Sequence, residues 1–264
     1  MLYTNATSTL STNGNKSKPI SIKSSVRQRC PLSMTLFVLC IDPLLNALDK
    51  ILTGVRVGGR ETKTTIIAYA DDVTIAVTKP KEIPIIHDTL RTYQKATGAT
   101  INVQKSKVIA LGSWNKSITI MDISYYTEMK VLGLHVQNEI RAAATKTWNV
   151  LTNKVKAQAH DMYQRESDLE KRIRYVQEYL LTRVWYIAQI LPPPKENLRQ
   201  INMTISWFLW KGEIFRVPLS TLQRTKKDGG WGMVHTAAKC MALLFYRMNE
   251  QGRKNGTMTV GWMR

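Results

Sequence analysis

Two runs of β-branched and apolar residues stand on either side of a short acidic segment. The runs cover residues 64–67 and 73–77, and both contain only threonine, isoleucine, valine and alanine. Runs of this composition, bounded by turn signals, predict the two strands of a hairpin. Asp71 and Asp72 would then lie together at its turn.

Apolar residues recur at helical spacing in three longer segments, 83–97, 142–160 and 169–191. The first segment is followed by Gly98, where a glycine commonly ends a helix. The third runs into Pro192-Pro193-Pro194, which cannot continue a helix. Residues 195–250 predict two or three further helices, with a loop at Gly229-Gly230 between them.

The N-terminal part of the chain is rich in residues that are typical of turns and loops. Residues 1–12 are rich in serine, threonine and asparagine, and we expect them to be disordered. Asn13-Gly14 predicts a hairpin turn with a strand near residues 19–23 after it. An apolar run then begins at Pro31, a residue suited to a first helical turn. Gly58-Gly59 is expected to turn a small ribbon ahead of the acidic hairpin.

Paired carboxylates at a tight turn point to a cation. Two like charges this close are unfavourable unless something positive neutralises them. Oxygen ligands suit Mg²⁺, which binds through one or two carboxylates together with substrate phosphates. An Asp-Asp pair by itself is more often an ordinary solvated turn, so its sequence context decides its meaning.

In its context, Tyr69-Ala70-Asp71-Asp72 resembles the metal-binding motif of a reverse transcriptase. Other segments resemble, in type, order and spacing, the reverse transcriptases of non-LTR (LINE-like) retrotransposons. They are residues 25–37 ("GVRQGCPLSPLLF" in the family), 98–107 ("SGLKINxxKS"), 130–136 (the "YLG" hairpin), and 207–212 with 227–233 ("FLWKG…GGLGL"). The likeness covers residues 13–250.

The resemblance implies an α+β fold. Residues 13–137 would form a partial polymerase palm, an antiparallel sheet with helices; 138–194 an all-α thumb; and 195–264 a C-terminal helical extension. The implied function is RNA-directed DNA synthesis by two-metal nucleotidyl transfer, with Mg²⁺ or Mn²⁺ as cofactor. The implied partners are an RNA template, a DNA primer and deoxynucleoside triphosphates.

The resemblance also assigns roles to single residues. Asp71 and Asp72 would be catalytic metal ligands, and Lys105 a catalytic cation near the triphosphate. The nucleotide and template contacts would be Arg27, Gln28, Pro31, Ser33 and Tyr69, and the primer grip Leu132 and Gly133. Simpler alternatives remain open: Lys105 as a solvated lysine on a strand edge, and 25–33 as a basic loop capping a core helix. His135 is expected to be structural.

Several departures from the family pattern bear on activity. The family takes a third metal-binding aspartate from a strand upstream of the "RQG" loop, but the residues before Ser25 contain no Asp or Glu. Ser25 and Arg29 replace glycines, and a glycine there lets backbone approach a ligand closely. We therefore expect an N-terminally truncated polymerase, inactive alone. The alternatives are a non-catalytic nucleic-acid-binding remnant or the relic of a decayed element.

Charge supports a nucleic-acid partner. The net charge is +19, and residues 141–264 contribute +12 of it, with 21 basic and 9 acidic residues. Basic residues neutralise phosphates and aromatic residues can stack on bases, although we expect the tryptophans to be mainly core.

Composition also bears on location. The three cysteines have no metal-ligand spacing. We see no signal peptide and no apolar run near 20 residues. The expectation is therefore an intracellular protein of nucleus or cytoplasm, not secreted and without a membrane span.

Overall fold

The chain divides into two compact units, Met1–Tyr126 and Thr127–Arg264. The structure is a computed structural model that describes residues 7–22, 30–56, 63–164, 168–213 and 217–254. Helices and small sheets make up the fold, as the predicted α+β class requires. Within those ranges every sheet has two strands, so the predicted palm sheet is present there only as separate ribbons.

The first unit contains two helices and ten short strands in its described part. The helices are α1, Pro31–Ile51, and α2, Glu82–Thr97. The strands are β1 Thr7–Ser8, β2 Ser11–Thr12, β3 Asn15–Lys16, β4 Ile20–Ser21, β5 Val55–Arg56, β6 Lys63–Thr64, β7 Ile66–Tyr69, β8 Asp72–Ile75, β9 Val108–Ile109 and β10 Tyr125–Tyr126. The pairs β1–β4, β2–β3, β5–β6 and β7–β8 are antiparallel, and β9–β10 is parallel.

Residues 7–8 and 11–12 lie in paired strands, within the segment 1–12 that was predicted to be disordered. Asn13 and Gly14 both have positive φ, 50° and 82°, as a type I′ hairpin turn requires. That turn brings β2 onto β3, and β1 pairs with β4 outside it. The predicted turn is therefore confirmed, and it orders part of the predicted disordered segment. Residues 1–6 lie outside the described ranges.

Helix α1 is long and largely apolar. It begins at Pro31 as predicted and runs for 21 residues, with an 18-residue window of mean hydropathy 1.6. By length and composition alone this helix could cross a membrane, although polar residues such as Asp42 interrupt its apolar sequence. The same test is passed by core helices, and Ile41, Leu44 and Leu48 on one face of α1 are buried in the first unit.

The predicted acidic hairpin packs on α1 and α2. Ile66 of β7 with Val73 and Ile75 of β8 face a small core whose buried members are Ile41, Leu44, Leu48, Leu52 and Ile86. The other face of β7 is open, and Ile67 is exposed. Helix α2 ends at Gly98 as predicted, where φ is +71° and the N–H donates to the Gln94 carbonyl oxygen at 2.8 Å.

One buried carboxylate joins the two ends of the segment that contains this hairpin. Glu82, the first residue of α2, is 3% exposed. Its Oε1 accepts the N–H of Thr53 at 2.8 Å, and its Oε2 accepts those of Thr78 at 3.0 Å and Lys79 at 3.2 Å. Burial raises the pKa of Glu82, but the hydrogen bonds from Thr53, Thr78 and Lys79 outweigh it and hold that pKa below its usual value.

A lysine and a glycine fix the start of the hairpin against the end of α1. Lys63 donates its ammonium to the carbonyl oxygens of Asp49 and Leu52, both at 2.8 Å, which satisfies helix-end acceptors and suits the negative end of the helix dipole. Gly54 has φ +72°, and a Cβ there would lie 2.7 Å from Thr65 Cγ2. Only glycine allows this close approach.

The second unit consists of one hairpin followed by helices. The strands are β11 Glu128–Val131 and β12 Leu134–Gln137. The helices are α3 Ile140–Tyr163, α4 Leu169–Tyr175, α5 Leu181–Ala188, α6 Lys195–Leu209, α7 Leu219–Leu222 and α8 Thr236–Lys254, with a π turn at Val176–Leu180 and a 3-10 turn at Lys226–Asp228. The predicted helices 142–160 and those of 195–250 are confirmed.

This unit has the larger core of the two. The fully buried side chains include Trp148 and Val155 of α3, Val184 of α5 and Ile205 of α6. The tryptophans at 185, 207 and 210 pack against that core and are partly buried, which agrees with the packing role predicted for them. Asn197 of α6 donates its amide to Thr152 Oγ1 at 3.0 Å, a buried polar tie between α6 and α3.

The helix predicted over 169–191 is divided into three parts. A π turn, Val176–Leu180, separates α4 from α5, and the Leu181 N–H donates to the Val176 carbonyl oxygen. Helix α5 ends at Ala188, before the three prolines. The segment therefore contains an extra residue in one turn, which periodicity alone did not reveal.

The hairpin β11–β12 is grouped with the helices that follow it. The sequence reading placed it in the palm, with a boundary at residues 137/138, whereas the compact units divide between Tyr126 and Thr127. Its contacts with α3 give the reason. Lys146 Nζ lies 2.6 Å from Glu128 Oε1, and Thr147 Oγ1 accepts the His135 N–H at 3.0 Å.

Glycines of the C-terminal motif are explained by close packing. At Gly212, φ is +72°, and a Cβ would lie 3.1 Å from the Tyr163 hydroxyl and 3.2 Å from Trp207 Nε1. At Gly230 a Cβ would lie 2.2 Å from the Arg224 carbonyl oxygen. Side chains are excluded at both positions, so these glycines shape the second unit independently of any ligand.

Replacing Glu82 tests its importance for the first unit. We expect Glu82→Gln to lower the free energy of unfolding by about 2–3 kcal/mol, because the amide cannot accept three N–H donors that stay buried. The wild-type stabilisation should be complete above the unfolded pKa of about 4.3. It should be lost as pH falls through the lower folded-state pKa. Urea unfolding of both proteins at pH 7 and at acidic pH measures this.

The matched control is Glu178→Gln, at an exposed position of the second unit. It should change stability by less than about 0.5 kcal/mol. Equal effects of the two substitutions would contradict the assignment.

Candidate functional site

The acidic turn is built as the sequence predicts. Tyr69 lies opposite Asp72 in the β7–β8 ladder, and Ala70 and Asp71 form the turn between them. Ala70 has φ +52°, a left-handed conformation that is uncommon for a residue with a side chain. Asp71 and Asp72 are both exposed. The ladder thus presents two adjacent carboxylates to solvent.

Within the described ranges, no cation of the chain neutralises this pair. Neither Asp71 nor Asp72 forms an ion pair within the described ranges. The same residues contain no cluster of three His, Cys, Asp or Glu side chains that could hold a metal. Two carboxylates suit Mg²⁺, which completes its octahedron with water and phosphate oxygens. The donor set fits part of a metal centre, and a two-metal site needs at least one more carboxylate.

The other predicted site residues of the first unit lie at several places. Lys105 is exposed in a turn, where its N–H donates to the Asn102 carbonyl oxygen at 3.1 Å. Pro31 is exposed at the start of α1, whereas Ser33, two residues later, is buried. Tyr69 is 70% exposed beside the acidic turn.

Contacts that bring these residues together are few. Lys105 forms no ion pair with either aspartate, as far as the described ranges extend. Arg27 and Gln28, together with Ser25 and Arg29, lie outside those ranges. Of the predicted catalytic set, the structure therefore joins Asp71 and Asp72 only.

The predicted grip residues form the turn of the second unit's hairpin. Leu132 and Gly133 have φ of 46° and 89°, the pair of positive values typical of a type I′ turn. Tyr186 of α5 closes over this turn. Its hydroxyl donates to the Leu132 carbonyl oxygen at 2.8 Å, and a Cβ on Gly133 would lie 3.4 Å from Tyr186 Cε1. A hydrogen bond and a ring thus hold a strained turn in place.

His135, which was predicted to be structural, lies opposite Lys130 in the ladder and is bonded to α3 through its backbone. Its N–H is bonded to Thr147, which in turn donates to the Ala143 carbonyl oxygen at 2.9 Å. Burial lowers the pKa of His135; Glu128 raises it, and nearby lysines lower it again, so the pKa stays below its usual value. The imidazole is therefore neutral at pH 7.

Sequence reasoning missed Glu82, Thr147 and Tyr186. Each acts on a backbone group far along the chain: Glu82 on Thr53, and Tyr186 on Leu132. Helical spacing does place Tyr186 on one face with Thr182 and Arg183. Helical spacing does not indicate which hairpin packs against this face.

Two comparisons relate the chain to known proteins. A sequence model of the family described as reverse transcriptase (RNA-dependent DNA polymerase) matches residues 2–136. The chain is also 27% identical over 241 residues to the uncharacterised 149 kDa protein of transposon TX1 from Xenopus laevis. That similarity covers 88% of the chain and 18% of the transposon protein, so the chain spans less than a fifth of this curated relative.

Removing the Tyr186 hydroxyl should loosen the Leu132–Gly133 turn. Tyr186→Phe is expected to cost about 1 kcal/mol, the net contribution of one hydrogen bond, and to speed amide exchange at Gly133 and Leu134. Tyr179→Phe is the control, because Tyr179 is exposed about two helical turns earlier and stacks on Tyr175. Slower or unchanged exchange in Tyr186→Phe would show that the ring alone holds the turn.

Proposed function

The chain belongs to the reverse transcriptase (RNA-dependent DNA polymerase) family, and we propose that it provides two parts of a template-directed DNA polymerase. The acidic turn of the first unit would hold a divalent metal beside the nucleotide. The second unit would bind the primer–template duplex. The likeness to a transposon protein supports a role in copying the RNA of a non-LTR element.

The observation that carries this proposal is the exposed Asp71–Asp72 pair. The pair faces solvent and has no counter-charge among the described residues, and two adjacent carboxylates favour a bound cation. The Tyr69-Ala70-Asp71-Asp72 sequence supports this assignment over an ordinary solvated turn. Mg²⁺ or Mn²⁺ held there would neutralise charge on the phosphates and activate the attacking hydroxyl. The chain's own contribution is positional: β7 and β8 pair up to Tyr69 and Asp72 and hold both carboxylates on one rigid turn.

Nucleic-acid binding is supported by the charge of the helical part of the second unit. Residues 141–264 carry a net charge of +12, and phosphate neutralisation supplies most non-specific affinity. Binding of this kind does not depend on a complete metal centre. A non-catalytic binding function is therefore the second candidate, and it rests on this charge alone.

Activity of the isolated chain is the first test. We expect no primer extension on an RNA template with Mg²⁺ or Mn²⁺, because Asp71 and Asp72 alone are fewer carboxylates than a two-metal centre needs and cooperating catalytic groups act as a unit. We expect Mn²⁺ to bind weakly nonetheless, and Asp71→Asn to weaken it further, as seen in the electron paramagnetic resonance signal of free Mn²⁺.

The controls separate the two statements. Incorporation that disappears in Asp71→Ala would mean that another carboxylate completes the centre. Mn²⁺ binding that is the same in wild type and Asp71→Asn would remove the acidic turn from the proposal. Asp122→Asn, an exposed carboxylate elsewhere in the first unit, should leave Mn²⁺ binding unchanged.

Salt dependence tests the nucleic-acid partner. The full chain should bind a labelled DNA duplex with little sequence preference, and log affinity should fall linearly with log salt, by about 0.9 per phosphate neutralised. Fluorescence anisotropy at several salt concentrations measures the slope. A flat response, or no binding at low salt, would mean that the positive charge only confers solubility.

A further inference from the structure

Helix α8 carries apolar residues on two of its sides. Its inner side lies on the core of the second unit, where Thr236 and Cys240 are fully buried. Its outer side carries Met241, Phe245 and Met248, which are 60%, 57% and 43% exposed. A surface helix normally has one apolar stripe, and that stripe faces the core. The packing of the second unit therefore does not account for the outer residues.

These outer residues follow the spacing of a seam between two helices. Together with Ala238 they are separated by three, four and three positions, as the a and d residues of a heptad are. All four are exposed, and they extend over about 15 Å of the helix. These four residues, the outer seam, have the pattern that receives the side chains of a second helix as knobs in holes.

The outer seam is uncharged, although the chain as a whole has a net charge of +19. Within residues 237–249, helical periodicity places only alanine, methionine, leucine, phenylalanine and asparagine on this side of α8. Lys239 and Arg247 fall on other sides, and Arg247 donates to Glu250 at 3.2 Å. A face without cations does not suit phosphates, whereas depletion of charge is typical of the core of a protein–protein interface.

The outer seam is complementary to itself under a two-fold rotation. When two α8 helices lie antiparallel with the two-fold axis near Leu243, Ala238 lies opposite Met248 of the second copy and Met241 lies opposite Phe245 of the second copy. A small residue then meets a long one at each end, which is the alternation that dense packing requires. The positions beside the seam are uncharged as well, so the pairing buries no charge.

We propose that the outer seam is the interface of a homodimer in which the α8 helices of two copies pack antiparallel. A two-fold interface uses the same patch on both subunits, as this seam allows. A stable interface buries roughly 1,200–2,000 Å² in total, and four residues from each copy cover less, so the dimer is weak and depends on concentration. This association goes beyond the proposed polymerase function and depends on neither the acidic turn nor a nucleic acid.

Sedimentation equilibrium of the full chain measures the dimer. The chain is treated with nuclease and studied at high salt, where bridging by nucleic acid is screened and apolar contacts persist. Phe245→Ala should weaken dimerisation by at least about 30-fold, as the loss of a central interface anchor does. Tyr246→Ala is the matched control, because Tyr246 is 68% exposed but lies about 100° around the helix from Phe245. It should leave dimerisation unchanged, and thermal unfolding confirms that both variants are folded.

Two complementary variants test the antiparallel register. Met241→Glu and Phe245→Lys should each prevent self-association, because each places an unpaired charge in the seam. Mixed in equal amounts, the two variants should associate, because the introduced carboxylate of one copy faces the introduced ammonium of the other. The other half of the same interface keeps the original contact between Phe245 and Met241.

The contrary outcomes are equally specific. A wild-type chain that stays monomeric up to about 0.3 mM, or that dimerises equally well as Phe245→Ala, would overturn the proposal, and so would a mixture that does not associate. A monomer that floats with phosphatidylcholine vesicles, and no longer does so as Phe245→Ala, would assign the seam to a lipid surface instead. None of these results bears on nucleic-acid binding, which is measured separately.

Discussion

The first unit depends on one buried carboxylate. Glu82 accepts N–H groups from Thr53, which follows α1, and from Thr78 and Lys79, which follow β8. The residues between Thr53 and Thr78 include the whole acidic hairpin, so the two ends of that segment are bound to the two oxygens of one carboxylate. The hydrogen bonds compensate the desolvation of the charge, and they determine where the hairpin begins and ends.

The two units differ in how much packing supports their candidate sites. The acidic hairpin buries one face on a small core and leaves Ile67 exposed on the other. A short two-stranded hairpin is only marginally stable alone. Its stability therefore depends on the Glu82 hydrogen bonds and on the Lys63 contacts with the end of α1. The Leu132–Gly133 turn instead accepts a hydrogen bond from Tyr186. The helix of Tyr186 packs in the larger core through Val184 and Ile187.

Local signals in the sequence predicted local structure. Asn13-Gly14, the strands around Asp71 and the glycine after α2 were identified correctly, because turn residues and period-two runs act on their immediate neighbours. The Leu132–Gly133 hairpin came from the family resemblance, and the structure forms it. Residue roles at these positions stay predictions, since geometry alone does not assign chemistry.

Long-range partners could not be predicted in the same way. In the sequence, Glu82 is indistinguishable from an ordinary acidic residue at the start of a helix. Its burial depends on α1 lying next to α2. Tyr186 reads as part of an amphipathic face, and its hydrogen bond reaches back to Leu132. The apolar character of α1 is not evident in the sequence, because isolated polar residues such as Asp42 interrupt its apolar residues. In the helix Asp42 lies on the exposed face.

The π turn at Val176–Leu180 sets which side chains of α5 reach the hairpin. One extra residue in a helical turn rotates everything that follows by about 100° relative to a regular helix. Val176 and Leu180 lie in the core. After Leu181 the helix is rotated, and Arg183 and Tyr186 line a cavity next to the Leu132–Gly133 turn. The spacing between the core-facing and the cavity-facing parts of this helix is thus determined by an insertion, and insertions and deletions, more than substitutions, are the mutations that would change it.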